Sequence, residues 1–123
     1  MGEIQTVAIL GASADTGRYA FKAQQLLKQF GHRVIPVSNK SLSIDGDMTV
    51  ADVAAISERV DTLTVYVRPA ISSEYREAIT ALKPARVIFN PGAENPALAK
   101  ALQAAGIATE EACTLVLLRT HQF

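Results

Sequence analysis

The chain is poor in the features that define several large classes of protein. It has one cysteine, Cys113, so no disulfide can form within it. Its 12 Lys and Arg residues are matched by 12 Asp and Glu residues, so it lacks the basic excess that supplies most of the affinity of nucleic-acid binders. No apolar run approaches the roughly 20 residues that a membrane-spanning helix requires. These absences predict a protein that binds neither nucleic acid nor membranes.

The N-terminal segment also lacks a targeting signal. Residues Met1–Gln5 contain neither the basic nor the apolar region of a signal peptide, so we expect a cytoplasmic protein. A length of 123 residues suits one domain, residues 1–123, and 49% of these residues are hydrophobic. A domain of this size buries enough apolar surface to fold without a stabilising cross-link.

What the sequence does contain is an alternation of two kinds of segment. Short apolar runs rich in β-branched residues are continuous, which is typical of strands buried on both faces. They predict five strands, at Thr6–Leu10, Arg33–Val37, Leu63–Val67, Arg86–Phe89 and Ile107–Thr109. Segments of helical periodicity predict helices over Tyr19–Phe30, over Ile71–Leu82, after the N-cap Asn95, over Glu110–Thr120 and, more weakly, from Thr49.

This alternation predicts an α/β fold, a Rossmann-like, doubly wound parallel sheet of five strands between two layers of helices. Five strands are too few for an eight-stranded α/β barrel. We expect the strand order 3-2-1-4-5. Ligands of such sheets bind beyond the carboxyl ends of the strands, so functional residues should follow Leu10, Val37, Val67 and Phe89.

A glycine-rich loop joins the first strand to the first helix. It begins Gly11, Ala12, Ser13; Gly17 is expected to open the helix and Arg18 to lie in its first turn. The free amides and positive dipole end of a helix favour a phosphate, and Arg18 can add a charge-assisted hydrogen bond. The spacing is one residue longer than the dinucleotide fingerprint and lacks its middle glycine. Phosphate binding is still favoured over an ordinary turn, because the fold places its crevice here.

The end of the second strand bears on which nucleotide would bind. Val37 and Ser38 are followed by Lys40, where NAD-binding domains usually carry an acid that holds the ribose hydroxyls. A lysine there favours a phosphate on the ribose, which NADP and coenzyme A (CoA) carry and NAD lacks. The sequence therefore argues against NAD and leaves NADP and CoA open.

The third strand ends in a stretch that can contact a base. Tyr66 and Val67 can form one wall for an adenine, and Pro69 can stiffen the loop; a core strand residue is an equally favoured interpretation of Tyr66. Arg68 can stack on a base or reach a phosphate. After the fourth strand, Asn90 offers a donor and an acceptor, and Gly92 permits close approach of a ligand to the backbone.

Together these residues resemble a known family, the small stand-alone CoA-binding domain proteins of bacteria and archaea. The resemblance covers nearly the whole chain and is carried by Gly11–Ser13, Val34–Val37, Arg68-Pro69, Asn95-Pro96 and Cys113. The chain is also similar to the N-terminal CoA-binding domain of the succinyl-CoA synthetase alpha subunit. The resemblance implies a Rossmann-like fold that binds CoA or an acyl-CoA.

The resemblance also implies where each part of CoA would lie. The pyrophosphate would face Gly11, Ala12, Ser13, Gly17 and Arg18; the adenosine 3′-phosphate would lie by Val37, Ser38 and Lys40; and the adenine by Tyr66, Val67, Arg68 and Pro69.

Side chains that could carry chemistry are sparse. His32 is expected at the end of the sheet opposite the crevice, His121 lies near the last residue, and neither has metal-ligand spacing with Cys113. We predict no catalytic residue and no metal, and favour a binding or regulatory module over an enzyme. An NADP-dependent oxidoreductase, a separate subunit of an acyl-CoA ligase, and a protein that kept the fold and lost the ligand stay open.

The C-terminal segment raises two further hypotheses. Cys113 is expected in the first turn of the last helix, where a nearby CoA thiol would allow a mixed disulfide; a small buried apolar residue is the favoured interpretation. The apolar run Leu115–Leu118 is compatible with a homodimer or a partner enzyme, and equally with a helix packed in the core.

Overall fold

A computed structural model describes residues 3–123; Met1 and Gly2, part of the segment searched for a targeting signal, lie outside it. The strands are β1 Thr6–Leu10, β2 Arg33–Val37, β3 Ser43–Ile44, β4 Asp47–Met48, β5 Thr62–Val65, β6 Arg86–Phe89 and β7 Ala108–Glu111. The helices are α1 Tyr19–Gln29, α2 Pro69–Ser72, α3 Arg76–Leu82, α4 Pro96–Ala104 and α5 Thr114–Arg119, with short 3-10 turns at Val53–Ala55 and Ser73–Tyr75. Within the described residues no helix is long and apolar enough to cross a membrane.

Five strands form one parallel sheet in the order β2-β1-β5-β6-β7. A single parallel bridge between Val37 and Val50 extends the sheet beyond β2. With Val50 counted in the third place, the order from that edge is 3-2-1-4-5-6, which carries the predicted 3-2-1-4-5 pattern with β7 as one further strand at the far edge. The strand Thr62–Val65, which we expected in third place, is the fourth, because the chain first returns to β2 at Val50.

The sheet buries both of its faces, which confirms the α/β class. Along β1, Ala8 and Leu10 belong to a core shared with α3 and α4, whereas Val7 and Ile9 belong to a core shared with α1 and α5. Successive residues of a strand point to opposite faces, so a continuous apolar run is what two cores require.

Helix boundaries follow local chemistry where that chemistry is strong. Helix α1 spans the predicted segment and its chain turns at Gly31. Helix α4 begins at Pro96, and the side chain of Asn95 accepts a hydrogen bond from the Leu98 amide as its cap. The predicted helix over Ile71–Leu82 is divided into α2, a 3-10 turn and α3, and it begins at Pro69.

Three predicted boundaries are wrong. The third strand ends at Val65, not Val67. The last strand runs over Ala108–Glu111, so Glu110 and Glu111 lie in a strand and the last helix starts at Thr114. The pairing with β6 explains this: Glu110 lies opposite Ile88, and Arg86 binds the Glu110 carboxylate at 3.0 Å.

The helix predicted from Thr49 is a single 3-10 turn, and its cap is Asp52, whose carboxylate accepts a hydrogen bond from the Ala54 amide.

The apolar run Leu115–Leu118 packs partly in the core: Leu115 and Leu118 are buried, and Val116 is 52% exposed.

The antiparallel hairpin of β3 and β4 was not predicted. Asp45 and Gly46 form its turn, and both have positive φ, +50° and +81°. Asp-Gly is the preferred pair for such a two-residue turn, so it was the sequence signal that could have predicted this hairpin. The hairpin packs against α1, where Lys28 binds Asp47 at 2.9 Å and Asp45 at 3.4 Å. The hydrogen bond to Asp47 raises the pKa of Lys28.

His32 lies at the amino end of the sheet, as expected, and gives the fold a pH dependence. Its Nδ1 accepts a hydrogen bond from the Gln5 amide at 3.0 Å, and its ring packs at a tilt of 54° against the ring of Phe123. Burial, and then the charge of Arg86, lower the pKa of His32 below 6.5. Because the unfolded chain then binds the proton more readily, the free energy of unfolding should fall as pH drops below about 6.5.

Urea unfolding between pH 5 and pH 7.5 measures this slope. His32→Asn, which keeps an acceptor but does not titrate, should flatten it. An undiminished slope in His32→Asn would refute the assignment.

Candidate functional site

The predicted site residues lie at the carboxyl end of the sheet: Val37 is the last residue of β2, Pro69 is the first of α2, and the others lie in the loops after β1, β2, β5 and β6. Backbone hydrogen bonds join these loops in sequence: the Ala12 amide donates to the Val37 carbonyl at 3.2 Å, the Tyr66 amide to Leu10 at 2.9 Å, and the Asn90 amide to Val65 at 3.3 Å. Each strand end is therefore held against its neighbour, and the loops form one continuous rim, the crevice rim below.

Gly11 is the tightest point of this rim. Its φ is +91°, and a Cβ placed on it would lie 2.7 Å from Val67 Cγ1 and 3.3 Å from the backbone carbon of Tyr66. Glycine is required here on both counts, since other residues avoid this φ and have no room for a side chain. The loops after β1 and β5 can approach this closely only because residue 11 lacks a Cβ.

The rest of the first loop is built by hydrogen bonds that the sequence did not reveal. The Ser13 hydroxyl accepts from the Asp15 amide at 3.0 Å, and the Asp15 carboxylate accepts from the Gly17 amide at 2.9 Å. Arg18 lies 3.9 Å from Asp15, and both side chains are exposed. Asp15 was missed because an acid in a phosphate loop was not expected; Asp-x-Gly turn formation was the available signal.

Helix α1 leaves its first turn open to an anion. Arg18 stands at its N-cap position without a side-chain cap, and the first turn contains no acid. The amides at this end therefore keep their partial positive charge for a ligand. Gly17 and Arg18 are exposed beside it.

The loop after β2 places a cation next to the first loop. Val37 is buried, Ser38 is half-buried and Lys40 is exposed. The Ser38 hydroxyl accepts from the Lys40 amide at 3.2 Å, and the Ser38 amide donates to Val50 at 2.9 Å. The ammonium group of Lys40 thus projects from a fixed turn.

Tyr66 and Val67 do not form one wall. Tyr66 packs with the core of α1 and α5, and Val67 packs with the core of α3 and α4, so the two side chains lie on opposite sides of the sheet. The Tyr66 hydroxyl is buried near Thr64 and Thr114 without a hydrogen-bond partner among the described residues. Burial raises the pKa of Tyr66 to about 12, so the phenol stays protonated.

Arg68 and Pro69, which follow on the same loop, are exposed. They are the parts of this loop that a base or phosphate can reach from solvent.

Asn90 is 1% exposed, and its amide bonds to protein groups. Its Nδ2 donates to Thr64 Oγ1 at 2.7 Å and to the Val65 carbonyl at 2.9 Å, and its Oδ1 accepts from the Thr114 amide at 2.9 Å. The side chain therefore joins the ends of β5 and β6 to the start of α5. Its expected donor and acceptor are both engaged within the fold.

The loop after β6 is held at its other end by Asn95. Its Nδ2 donates to Ser72 and Ser73 hydroxyls at 2.9 Å, which ties this loop to α2. Between the two asparagines, Gly92 is exposed with φ +89°, and its amide donates to Glu94 at 2.8 Å.

Cys113 is half-buried at the N-cap position of α5, one residue before the helical turn in which it was expected. Within residues 3–123, no three His, Cys, Asp or Glu side chains are grouped closely enough to hold a metal ion.

Two open depressions, of about 540 and 590 Å³, lie beside α4. One lies against β7 and the other against α3, and neither is lined by the loops after β1, β2 or β5. Both are shallow and open to solvent, so we retain the crevice rim as the site.

Comparison with known proteins finds relatives of this chain by family and by fold. A family model described as a CoA binding domain matches residues 5–119. No curated protein matches the chain.

Solved structures match along the full length. One, the crystal structure of an uncharacterized protein, has 39% identity and a TM-score of 0.94, covering 99% of this chain and 100% of that one. A Thermus thermophilus protein has 31% identity and a TM-score of 0.88, covering 98% and 91%. An acetyl-coenzyme A synthetase 1 from Ca. Korarchaeum cryptofilum has 14% identity and a TM-score of 0.75, covering 85% of this chain and 25% of that one, which shows a shared fold.

Proposed function

We propose that this chain, which belongs to the CoA binding domain family, binds coenzyme A or an acyl-CoA along the crevice rim. One observation carries the proposal: the loop that leads from β1 to the open end of α1 and the loop that carries Lys40 start side by side, joined by the hydrogen bond from the Ala12 amide to the Val37 carbonyl. CoA presents two separate phosphate groups, a pyrophosphate and a ribose 3′-phosphate, and the rim offers a separate cationic feature for each.

The pyrophosphate is assigned to the first loop. Gly11, Ala12 and Ser13 face the ligand: Ser13 brings its backbone amide and hydroxyl, Gly11 permits the tight turn, and Ala12 fixes the loop through its bond to Val37. Gly17 leaves room above the helix end. Arg18 turns from Asp15 to the phosphate, a small rearrangement because both side chains are exposed. Charge-assisted hydrogen bonds of this kind are among the strongest that a surface site makes.

The ribose 3′-phosphate is assigned to Ser38 and Lys40, with Val37 as the buried support. The adenine is assigned to Arg68 and Pro69, which are exposed on the neighbouring loop. Tyr66, Val67 and Asn90 act beneath the ligand by fixing the loops, and Gly92 lets the last loop approach the ligand.

We propose a binding or regulatory role without catalysis by this chain. The described histidines support this, because His32 lies at the opposite end of the sheet and His121 is exposed beyond α5. Two other candidates have support. NADP also carries a ribose phosphate for Lys40, and the fold shared with an acetyl-coenzyme A synthetase is compatible with a separate subunit of an acyl-CoA ligase. A homodimer or a partner enzyme belongs to the same proposal.

Lys40→Ala tests the assignment. It should weaken the binding of CoA by about 1–3 kcal/mol and leave the affinity for dephospho-CoA nearly unchanged, because only CoA carries the 3′-phosphate. Isothermal titration calorimetry of ligand-stripped protein measures these affinities, with CoA, acetyl-CoA, dephospho-CoA, NADP and NAD as ligands. Lys100→Ala, an exposed lysine on α4, is the matched control and should change neither. Binding of NADP but not of CoA would favour the oxidoreductase over the proposed function. Equal losses of affinity for CoA and dephospho-CoA would remove Lys40 from the site.

A further inference from the structure

Gln24 is a fully buried amide in the middle of α1, with 0% exposure. Its Nε2 donates to the Ile44 carbonyl and to Asp47 Oδ2, both at 2.9 Å. Its Oε1 has no hydrogen-bond partner within the described residues. A buried amide with an unbonded oxygen is unfavourable, so the two bonds that it donates to the hairpin explain its presence.

Lys28, one turn along the same helix, holds the hairpin a second time. Its Nζ lies 2.7 Å from the Asp45 carbonyl and 2.9 Å from Asp47. Gln24 and Lys28 therefore both bind Asp47, and together they fix the hairpin on α1.

The hairpin in turn holds the loop at residues 38–42, which carries Lys40. At one end the Ser38 amide donates to Val50 at 2.9 Å, and Val50 donates back to Pro36 at 2.9 Å. At the other end Thr49 binds this loop through its amide, which donates to Leu42 at 3.1 Å, and through its hydroxyl, which donates to Ser41. Both ends of the loop are closed by the residues that directly follow β4.

We infer that Gln24 is a positioning residue, which sets the preference of the crevice rim for a ribose 3′-phosphate by fixing the hairpin that holds the Lys40 loop. The inference rests on the proposed function. Helix α1 presents its open end to the pyrophosphate and its side to the hairpin, so one rigid element sets the spacing between the two phosphate sites. A bond formed by a fixed ammonium group loses less conformational entropy than one formed by a mobile loop.

The experiment compares dissociation constants for CoA and dephospho-CoA in Gln24→Leu and in the wild type. Leucine is close in size and lacks both the donor and the unbonded oxygen. The preference for CoA over dephospho-CoA should fall by roughly fivefold to tenfold, with dephospho-CoA affinity nearly unchanged. Hydrogen exchange of the Ser38 and Thr49 amides should become faster, since both are bonded where the hairpin meets the loop.

Lys28→Met provides a second route to the same result, at a partly exposed position where folding is not at risk. Lys22→Met is the matched control, because Lys22 lies on the exposed side of α1 and binds neither hairpin aspartate. A purely structural role would lower stability without changing the ratio of the two affinities. If the ratio of the affinities for CoA and dephospho-CoA is unchanged in Gln24→Leu and Lys28→Met, the inference is overturned and the proposed function still stands. A wild-type protein that does not distinguish the two ligands overturns the 3′-phosphate assignment and the inference with it.

Discussion

Gly11→Ala is expected to lower the free energy of unfolding by about 3 kcal/mol and to abolish ligand binding at the crevice rim. Two costs add: a left-handed backbone for a residue with a Cβ, about 1–2 kcal/mol, and overpacking of about 1–3 kcal/mol. The second arises because the new methyl group would lie 2.7 Å from Val67 Cγ1, and the Tyr66 backbone behind it cannot move aside easily. Binding is lost because the loops after β1 and β5 must separate.

Gly92→Ala separates the two costs. Its φ of +89° is nearly that of Gly11, but nothing lies within 4 Å of its added Cβ. Chemical denaturation of both variants should therefore show a loss of about 1–2 kcal/mol for Gly92→Ala and a clearly larger one for Gly11→Ala. Equal losses would mean that the contact with Val67 is relieved at no cost.

The second large effect is expected at Asn90. Asn90→Ala should cost about 3 kcal/mol, because it deletes three buried hydrogen bonds and leaves the Thr114 amide without an acceptor. Asn90→Asp keeps the acceptor for Thr114 but places an oxygen against the Val65 carbonyl in place of a donor, so it should also destabilise strongly.

Urea unfolding measures both variants, with Asn39→Ala at an exposed asparagine as the control. A loss below about 1 kcal/mol for Asn90→Ala would contradict the assignment, since it would imply that water replaces every bond. The same variant tests the join between strand ends: near-ultraviolet circular dichroism should report altered packing of Tyr66, which lies beside Thr64 and Thr114.

Several elements could be predicted from sequence because local and tertiary preferences agree. The bounds of β1, β2 and β6 are those of continuous β-branched runs, and Asn95 with Pro96 marks the start of α4 by capping chemistry alone. Strand β7 could not be delimited in this way. Two of its four residues are glutamates, and its extent is set by pairing with β6, including the ion pair between Arg86 and Glu110.

The location of the site follows from the fold class, but the direction of each side chain does not. The rule that ligands bind at carboxyl strand ends predicted that the candidate residues follow the strands now labelled β1, β2, β5 and β6, and they lie at those strand ends. It could not show that Asn90 is turned inward, because its partners Thr64 and Thr114 are distant in sequence. The opposite sides on which Tyr66 and Val67 lie could have been anticipated from the alternation of the predicted strand Leu63–Val67.

The two margins of the sheet differ in a way that constrains how copies of this protein can associate. Beyond β2 the margin is covered by Val50 and the hairpin, whereas among residues 3–123 β7 pairs with β6 alone and has an uncovered side. Glu111 and Glu110 stand on this uncovered strand, so two copies joined strand to strand would bring like charges together. Self-assembly through a shared sheet is thus discouraged at neutral pH, and any lasting pair of subunits should meet through helices.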